Sequence, residues 1–117
     1  MLAGTYDIIC EQGATFQREI AVVNQDESIP DYNGSTARMQ VRPTVESLVI
    51  IIELTTENSR ITLLDNTITL NITADDTTVL PIGTYKYDLE IQIADKVIRL
   101  VQGNFKVSPE VTRQNPS

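Results

Sequence analysis

The stretch Pro81 to Ser108, PIGTYKYDLEIQIADKVIRLVQGNFKVS, decides the fold class of this chain. From Tyr85 onward apolar and polar residues alternate, which is typical of a β-strand with one buried face. One face carries Tyr85, Tyr87, Leu89, Ile91 and Ile93, and the other carries Lys86, Asp88, Glu90 and Gln92. Residues 94–96 predict a turn, and a second apolar run follows it. The stretch therefore predicts a long hairpin, and Gly103 predicts a β-bulge in its second strand.

Shorter strands separated by turns precede this hairpin. Alternation or β-branched composition predicts them at residues 4–10, 16–22, 35–42, 48–54, 60–64 and 67–72, and the strand at 35–42 has a cationic outer face. The polar stretch 24–34 predicts a loop, and residues 73–80 predict one short helical turn that places Leu80 in the core. About eight strands without a crossover helix predict an all-β fold, an antiparallel β-sandwich.

The run Leu48 to Leu54 is almost wholly apolar. Such a composition is typical of a strand covered on both faces, or of an edge strand covered by a partner chain. Within this run, Val49 to Ile52 would leave one apolar face outside a single sandwich. Either a partner protein or the neighbouring loops would cover that face.

The 117 residues are enough for one domain with a substantial core. We expect the sandwich to occupy residues 1–108 and residues 109–117, with two prolines, to form an extended tail. The net charge of −7 argues against a nucleic-acid partner, and no apolar run is long enough to cross a bilayer, so no membrane partner is expected. The start of the chain also lacks the pattern of an export signal.

Few residues suit catalysis or metal binding. The chain has no histidine and a single cysteine, Cys10, which argues against a zinc site and against serine or cysteine triads. The acidic pairs Asp75-Asp76 and Asp26-Glu27 fit a helix start and a solvated turn better than a hydrolase cleft. Residues 31–34 resemble a fragment of a calcium loop but lack the later bidentate glutamate. We therefore expect no enzyme activity, no metal and no cofactor.

Aromatic residues offer one further kind of site. Tyr6, Tyr85 and Tyr87 could stack on sugars or bases, but the alternation groups Tyr85 and Tyr87 with core residues. Tyr32, in the loop at 24–34, would serve a receptor- or carbohydrate-binding module. That module is the alternative to a purely structural role.

Several segments carry a resemblance to a known family. They are CEQGATF at 10–16, TARMQVRP at 36–43, ELTTENSRITL at 53–63, GTYKYDLEI at 83–91 and VIRLVQGNFKVSPEVTR at 97–113. Together they resemble small tailed-bacteriophage virion proteins that are similar to the N-terminal immunoglobulin-like domain of the phage baseplate upper protein. The resemblance covers nearly the whole chain.

This resemblance implies an immunoglobulin-like sandwich without a catalytic site, acting in the baseplate, as a tail-fibre adaptor or as a capsid-decorating protein. It implies docking on other phage structural proteins, a homo-oligomer such as a trimer, and a place in the virion after assembly in the host bacterial cytoplasm. The residues expected to contact a partner are Leu48, Val49, Ile50, Ile51, Ile52, Val111 and Arg113.

Overall fold

A computed structural model describes residues 4–111, which form nine strands and one short helix. The strands are β1 (Gly4–Thr5), β2 (Ile8–Glu11), β3 (Phe16–Ala21), β4 (Thr36–Arg42), β5 (Ile52–Thr55), β6 (Ile61–Leu64), β7 (Thr67–Ile72), β8 (Gly83–Ile93) and β9 (Lys96–Ser108). The helix α1 (Ala74–Thr78) lies between β7 and β8. The predicted all-β fold class is confirmed.

The predicted hairpin is formed by β8 and β9, which pair from Gly83 with Val107 to Ile93 with Lys96. Its turn consists of Ala94 and Asp95, and Ala94 has a φ of 55°. Tight hairpin turns require a positive φ at their first central position, so this conformation matches the twist of the strands. The predicted faces are confirmed, because Tyr85, Tyr87, Leu89 and Ile91 are buried.

The predicted bulge at Gly103 is wrong. The register shifts between Leu89, which pairs with Val101, and Glu90, which pairs with Arg99, so the extra residue is Leu100. Gly103 pairs regularly with Tyr87, so a bulge does not explain why a glycine stands at this position. A Cβ at Gly103 would lie 2.5 Å from the carbonyl oxygen of Tyr6, so the glycine permits the close approach of the segment between β1 and β2.

The strands form two sheets. One has six strands in the order β1-β9-β8-β4-β5, with β2 also paired to β9, and the other has the order β3-β7-β6. The expectation of an antiparallel fold holds for most pairs, but β1 and β2 both run parallel to β9. Alternation along one strand does not encode the direction of its partner, so the sequence could not reveal this pairing.

The predicted strand at Leu48 to Leu54 is also wrong in its extent. Strand β5 begins only at Ile52, and residues 43–51 form the loop between β4 and β5, called the β4–β5 loop below. Ile52 and Leu54 point into the core, whereas Glu53 and Thr55 are half-buried. The apolar run therefore divides into an irregular segment and a short edge strand.

Residues of both sheets share one hydrophobic core. Phe16 on β3 meets Phe105 on β9 edge to face, with 6.1 Å between ring centroids. The other residues of this core are Ile8, Cys10, Tyr32, Ala37, Met39, Val41, Ile52, Leu54, Ile61, Ile68, Leu70, Ile72, Leu80, Tyr85, Tyr87, Leu89, Ile91, Val101 and Val107.

The helix α1 has the predicted threonine cap, and Leu80 lies in the core as predicted. The Thr73 side chain accepts a hydrogen bond from Asp76 N, and the chain then buries Leu80. Thr77 is fully buried, which the sequence did not indicate. Its hydroxyl donates to Ala14 O at 2.8 Å and accepts from Gly13 N at 3.0 Å, so it joins α1 to the turn between β2 and β3.

Candidate functional site

The β4–β5 loop exposes a cluster of apolar side chains. Leu48 is 94% exposed, Val45 77%, Val49 59% and Ile50 42%. Single exposed apolar residues are common on protein surfaces, but four within six consecutive positions form a local apolar surface. Three of them, Leu48, Val49 and Ile50, belong to the predicted partner-binding set, and Val45 was missed.

Hydrogen bonds restrain the backbone of the β4–β5 loop. Ile51 N donates to Val41 O at 2.7 Å, and the Arg42 guanidinium donates to Ser47 O at 2.7 Å. Val49 N donates to the Ser47 hydroxyl at 3.1 Å. A loop fixed in this way loses little conformational entropy when a partner covers its apolar side chains.

The edge of β5 beside this loop is closed to an added strand. Thr56 N donates to Ala37 O, so the backbone groups of Thr56 face β4. In an antiparallel pair the backbone groups of successive residues face alternately towards and away from the neighbouring strand. The N–H and C=O groups of Glu53 and Thr55 therefore face away from β4. The Asn58 side chain satisfies two of these groups, because its amide nitrogen donates to Glu53 O at 3.0 Å and its oxygen accepts from Thr55 N at 2.9 Å. Arg60 also donates to Glu53 O at 2.9 Å. A partner would therefore contact the loop rather than extend the sheet at β5.

The remaining predicted contact residues divide between core, surface and the undescribed tail. Ile52 is buried and Ile51 is partly buried against the core. Val111 is 90% exposed just beyond β9, and Arg113 lies outside the described residues, as does most of the predicted tail. Because Arg42 pairs with Lys86 and Gly83 pairs with Val107, the β4–β5 loop and the end of β9 lie at the same end of the six-stranded sheet.

A groove with a volume of about 460 Å³ runs along the outer face of the six-stranded sheet, next to the loop. Its lining includes the charged residues Arg38, Arg42, Lys86, Asp88, Glu90 and Arg99, together with Val45 from the loop. Within residues 4–111, Arg38 pairs with Glu53 at 3.8 Å and Arg99 pairs with Asp88 at 3.3 Å. The predicted cationic outer face of β4 thus forms one wall of this groove.

The acidic pairs lie apart and serve local structure. Asp76 accepts from Arg60 at 2.8 Å, and this contact lowers the pKa of the Asp76 carboxyl. Asp26 accepts from the backbone and the hydroxyl of Ser28, which lowers the pKa of the Asp26 carboxyl. Asp31 accepts from Asn33 N in a turn. Each of these carboxylates stabilises a turn or a helix end, in agreement with the structural interpretation of the sequence.

The aromatic candidates lie mostly in the core. Tyr32 is 3% exposed, so its ring is not free to stack on a sugar, and burial raises the pKa of its hydroxyl. Tyr87 is also buried, and its hydroxyl donates to the Tyr6 carbonyl oxygen. Tyr6 is 40% exposed and is the most accessible of the tyrosines. The interpretation of Tyr85 and Tyr87 as packing residues is confirmed.

Residues 4–111 contain no group of three or more histidine, cysteine, aspartate or glutamate side chains placed to hold a metal ion. In the same part of the chain, no helix has the length and apolar character needed to span a membrane. No protein-family model and no curated protein matches the sequence.

Proposed function

We propose that this chain is a structural virion protein of a tailed bacteriophage that acts by protein–protein docking. Its place would be the baseplate, a tail-fibre adaptor or the capsid surface. The observation that carries the docking function is the β4–β5 loop, which is held by hydrogen bonds and still exposes Leu48 almost completely. The phage assignment is supported by the resemblance of segments such as CEQGATF and TARMQVRP.

The strand order supports an immunoglobulin-like sandwich as the scaffold for this function. Strands β3, β7 and β6 correspond in order to strands B, E and D of that fold, and β9, β8 and β4 correspond to G, F and C. The hydroxyl of Tyr85 donates to Pro81 O at 2.7 Å at the start of β8. This contact has the geometry of the tyrosine corner that immunoglobulin-like domains place at the start of strand F.

Side-chain exposure favours protein docking at the β4–β5 loop over carbohydrate or receptor binding at the loop 24–34. A carbohydrate- or receptor-binding module would need an accessible aromatic ring, and Tyr32 is buried. Apolar side chains on a hydrogen-bonded loop suit contact with another protein, because their burial releases water while the loop backbone already has its hydrogen bonds. Copies of the chain would then be arranged by the symmetry of the particle, as in a trimer.

Purified particles of a phage that encodes this chain test the proposal. We expect mass spectrometry to find the chain in density-purified virions at a copy number consistent with a symmetric assembly. The double variant Leu48→Ser/Val49→Ser should fold normally but lose most of its incorporation. Val97→Ser is the matched control, since Val97 on β9 is 60% exposed and Val49 is 59% exposed. A chain free in lysates and absent from purified particles would refute the proposal.

A further inference from the structure

Two cations face each other on the outer surface of the six-stranded sheet without a carboxylate between them. The register of β4 and β8 places Arg42 directly opposite Lys86, and both side chains line the groove. The ion pairs within residues 4–111 are Arg38–Glu53, Arg60–Asp76 and Arg99–Asp88, and they include neither of these two residues. Like charges directly opposite on neighbouring strands destabilise a sheet.

Neutral oxygen atoms hold both cations in place. The Arg42 guanidinium donates to Ser47 O at 2.7 Å and to the side-chain oxygen of Gln40 at 2.6 Å. The Lys86 ammonium donates to the side-chain oxygen of Asn104 at 2.6 Å. These contacts orient the two groups without neutralising their charges. Because a guanidinium has five N–H donors and an ammonium has three, both keep donors for a further acceptor.

The charges along the groove are distributed unevenly. Asp88 contacts Arg99 at 3.3 Å, and Glu90 lies opposite Arg38 on β4 and Arg99 on β9. The carboxylates at that part of the groove are therefore balanced by arginines. At the other end of the groove, Arg42 and Lys86 have no ion-pair partner within residues 4–111, and Val45 lies beside them.

This arrangement selects among anions. A guanidinium binds a carboxylate with two parallel hydrogen bonds, and a neighbouring ammonium adds a second charge-assisted contact. A long polyanion such as a nucleic acid would be repelled by the acidic remainder of the chain and by the groove's own carboxylates. The apolar loop beside the cations requires apolar groups next to the anion, which an acidic polypeptide supplies.

We propose that Arg42 and Lys86 form a carboxylate-binding site for an acidic segment of a partner protein, whose neighbouring apolar side chains pack on Val45 and Leu48. This inference rests on the proposed docking function, because it specifies the chemistry of the partner. The carboxylate of the partner lies between the Arg42 guanidinium and the Lys86 ammonium and offsets the repulsion between them. The apolar loop adds contact area beside it.

Heteronuclear NMR titration of the full chain at low salt provides the test, with a blocked hexapeptide of alternating leucine and glutamate as the probe. We expect saturable shifts of the backbone amides of Arg42, Val45, Leu48 and Lys86. The variant Lys86→Gln should weaken binding about fivefold or more, as expected for one lost charge-assisted hydrogen bond. Lys96→Gln, which removes the same charge at the exposed tip of the β8–β9 hairpin, should leave the affinity unchanged.

Charge reversal separates recognition from folding. Lys86→Glu places opposite charges on β4 and β8, so this variant should unfold at the same temperature as the wild type or higher while its peptide binding is lost. Unchanged binding in Lys86→Glu would overturn the proposal. Equal or tighter binding of an oligothymidylate or a heparin hexasaccharide, or equal binding of a leucine–glutamine hexapeptide, would also overturn it. Presence in virions is measured separately, so a failure of this inference can be distinguished from a failure of the docking function on which it rests.

Discussion

The hydroxyl of Tyr85 donates to the carbonyl oxygen of Pro81 at 2.7 Å, and this contact fixes the corner where the chain leaves α1 and enters β8. The same hydroxyl lies 3.3 Å from Ile82 O. Because Tyr85 is buried, its ring belongs to the core while its oxygen holds the backbone at the rim. One side chain therefore links the long hairpin to the connection that precedes it.

Tyr85→Phe should lower the free energy of unfolding by about 1 kcal/mol, because it removes this hydrogen bond and leaves a partly buried carbonyl without its partner. Urea denaturation followed by circular dichroism measures the loss. Tyr6→Phe is the control, since Tyr6 is 40% exposed and its contact with Tyr87 uses the backbone oxygen. Equal stability of Tyr85→Phe and the wild type would show that the corner contributes nothing.

Gly103→Ala should destabilise the protein by about 1–3 kcal/mol, the usual range for overpacking. The new Cβ would lie 2.5 Å from Tyr6 O and 2.8 Å from the Asp7 carboxylate, so the segment between β1 and β2 would have to move away from β9. Gly4→Ala is the matched control, because the nearest atom to its Cβ is Leu100 O at 3.8 Å. Thermal unfolding of both variants measures the difference, and a similar melting temperature for the two would contradict the close approach.

Local patterns predicted those parts of the fold that depend on neighbouring residues. The alternation from Tyr85 to Ile93 identified the buried face of β8, and Thr73 identified the helix cap. The position of the bulge depends on which residues pair across two strands, and so does the parallel pairing of β2 with β9. The register between two strands cannot be read from the local pattern of either strand, which is why the bulge was wrongly predicted at Gly103.

At the candidate site, too, local patterns predicted the composition but not the pairing of strands. Apolar composition predicted that a partner or the neighbouring loops would cover Leu48, Val49 and Ile50, but it could not show that the strand begins only at Ile52. The sequence also placed Arg42 on a cationic face. Its position opposite Lys86 became visible only from the register of β4 and β8.

Cys10 should resist thiol reagents in the folded protein, because its side chain is fully buried and burial raises its pKa to about 11. Reaction with a disulfide reagent at pH 8 should be slow in buffer and rapid in denaturant. The raised pKa also predicts a pH effect. Since the folded state retains the proton that the unfolded state loses above about pH 9, the stabilisation is complete below that pH and declines as the pH rises towards 11.

The variant Cys10→Ala isolates this effect from the titration of other groups. The difference in unfolding free energy between wild type and variant should shrink between about pH 9 and 11 and stay constant between pH 6 and 8. Denaturant titrations at a series of pH values provide the measurement. A difference that stays constant up to pH 11 would show that the thiol ionises equally well in both states.

Asn58→Ala should open the edge of β5 at Thr55 N, while Glu53 O keeps its contact with Arg60. The variant loses the side-chain contacts to Glu53 O and Thr55 N, so we expect a cost of about 1 kcal/mol and a larger tendency to self-associate through strand pairing. Sedimentation velocity over a range of concentrations measures the association, and denaturation measures the cost. Thr62→Ala is the control, because Thr62 is an exposed residue on β6, one of the two edge strands of the other sheet. A variant that stays as monodisperse as this control would show that Asn58 is not what protects the edge.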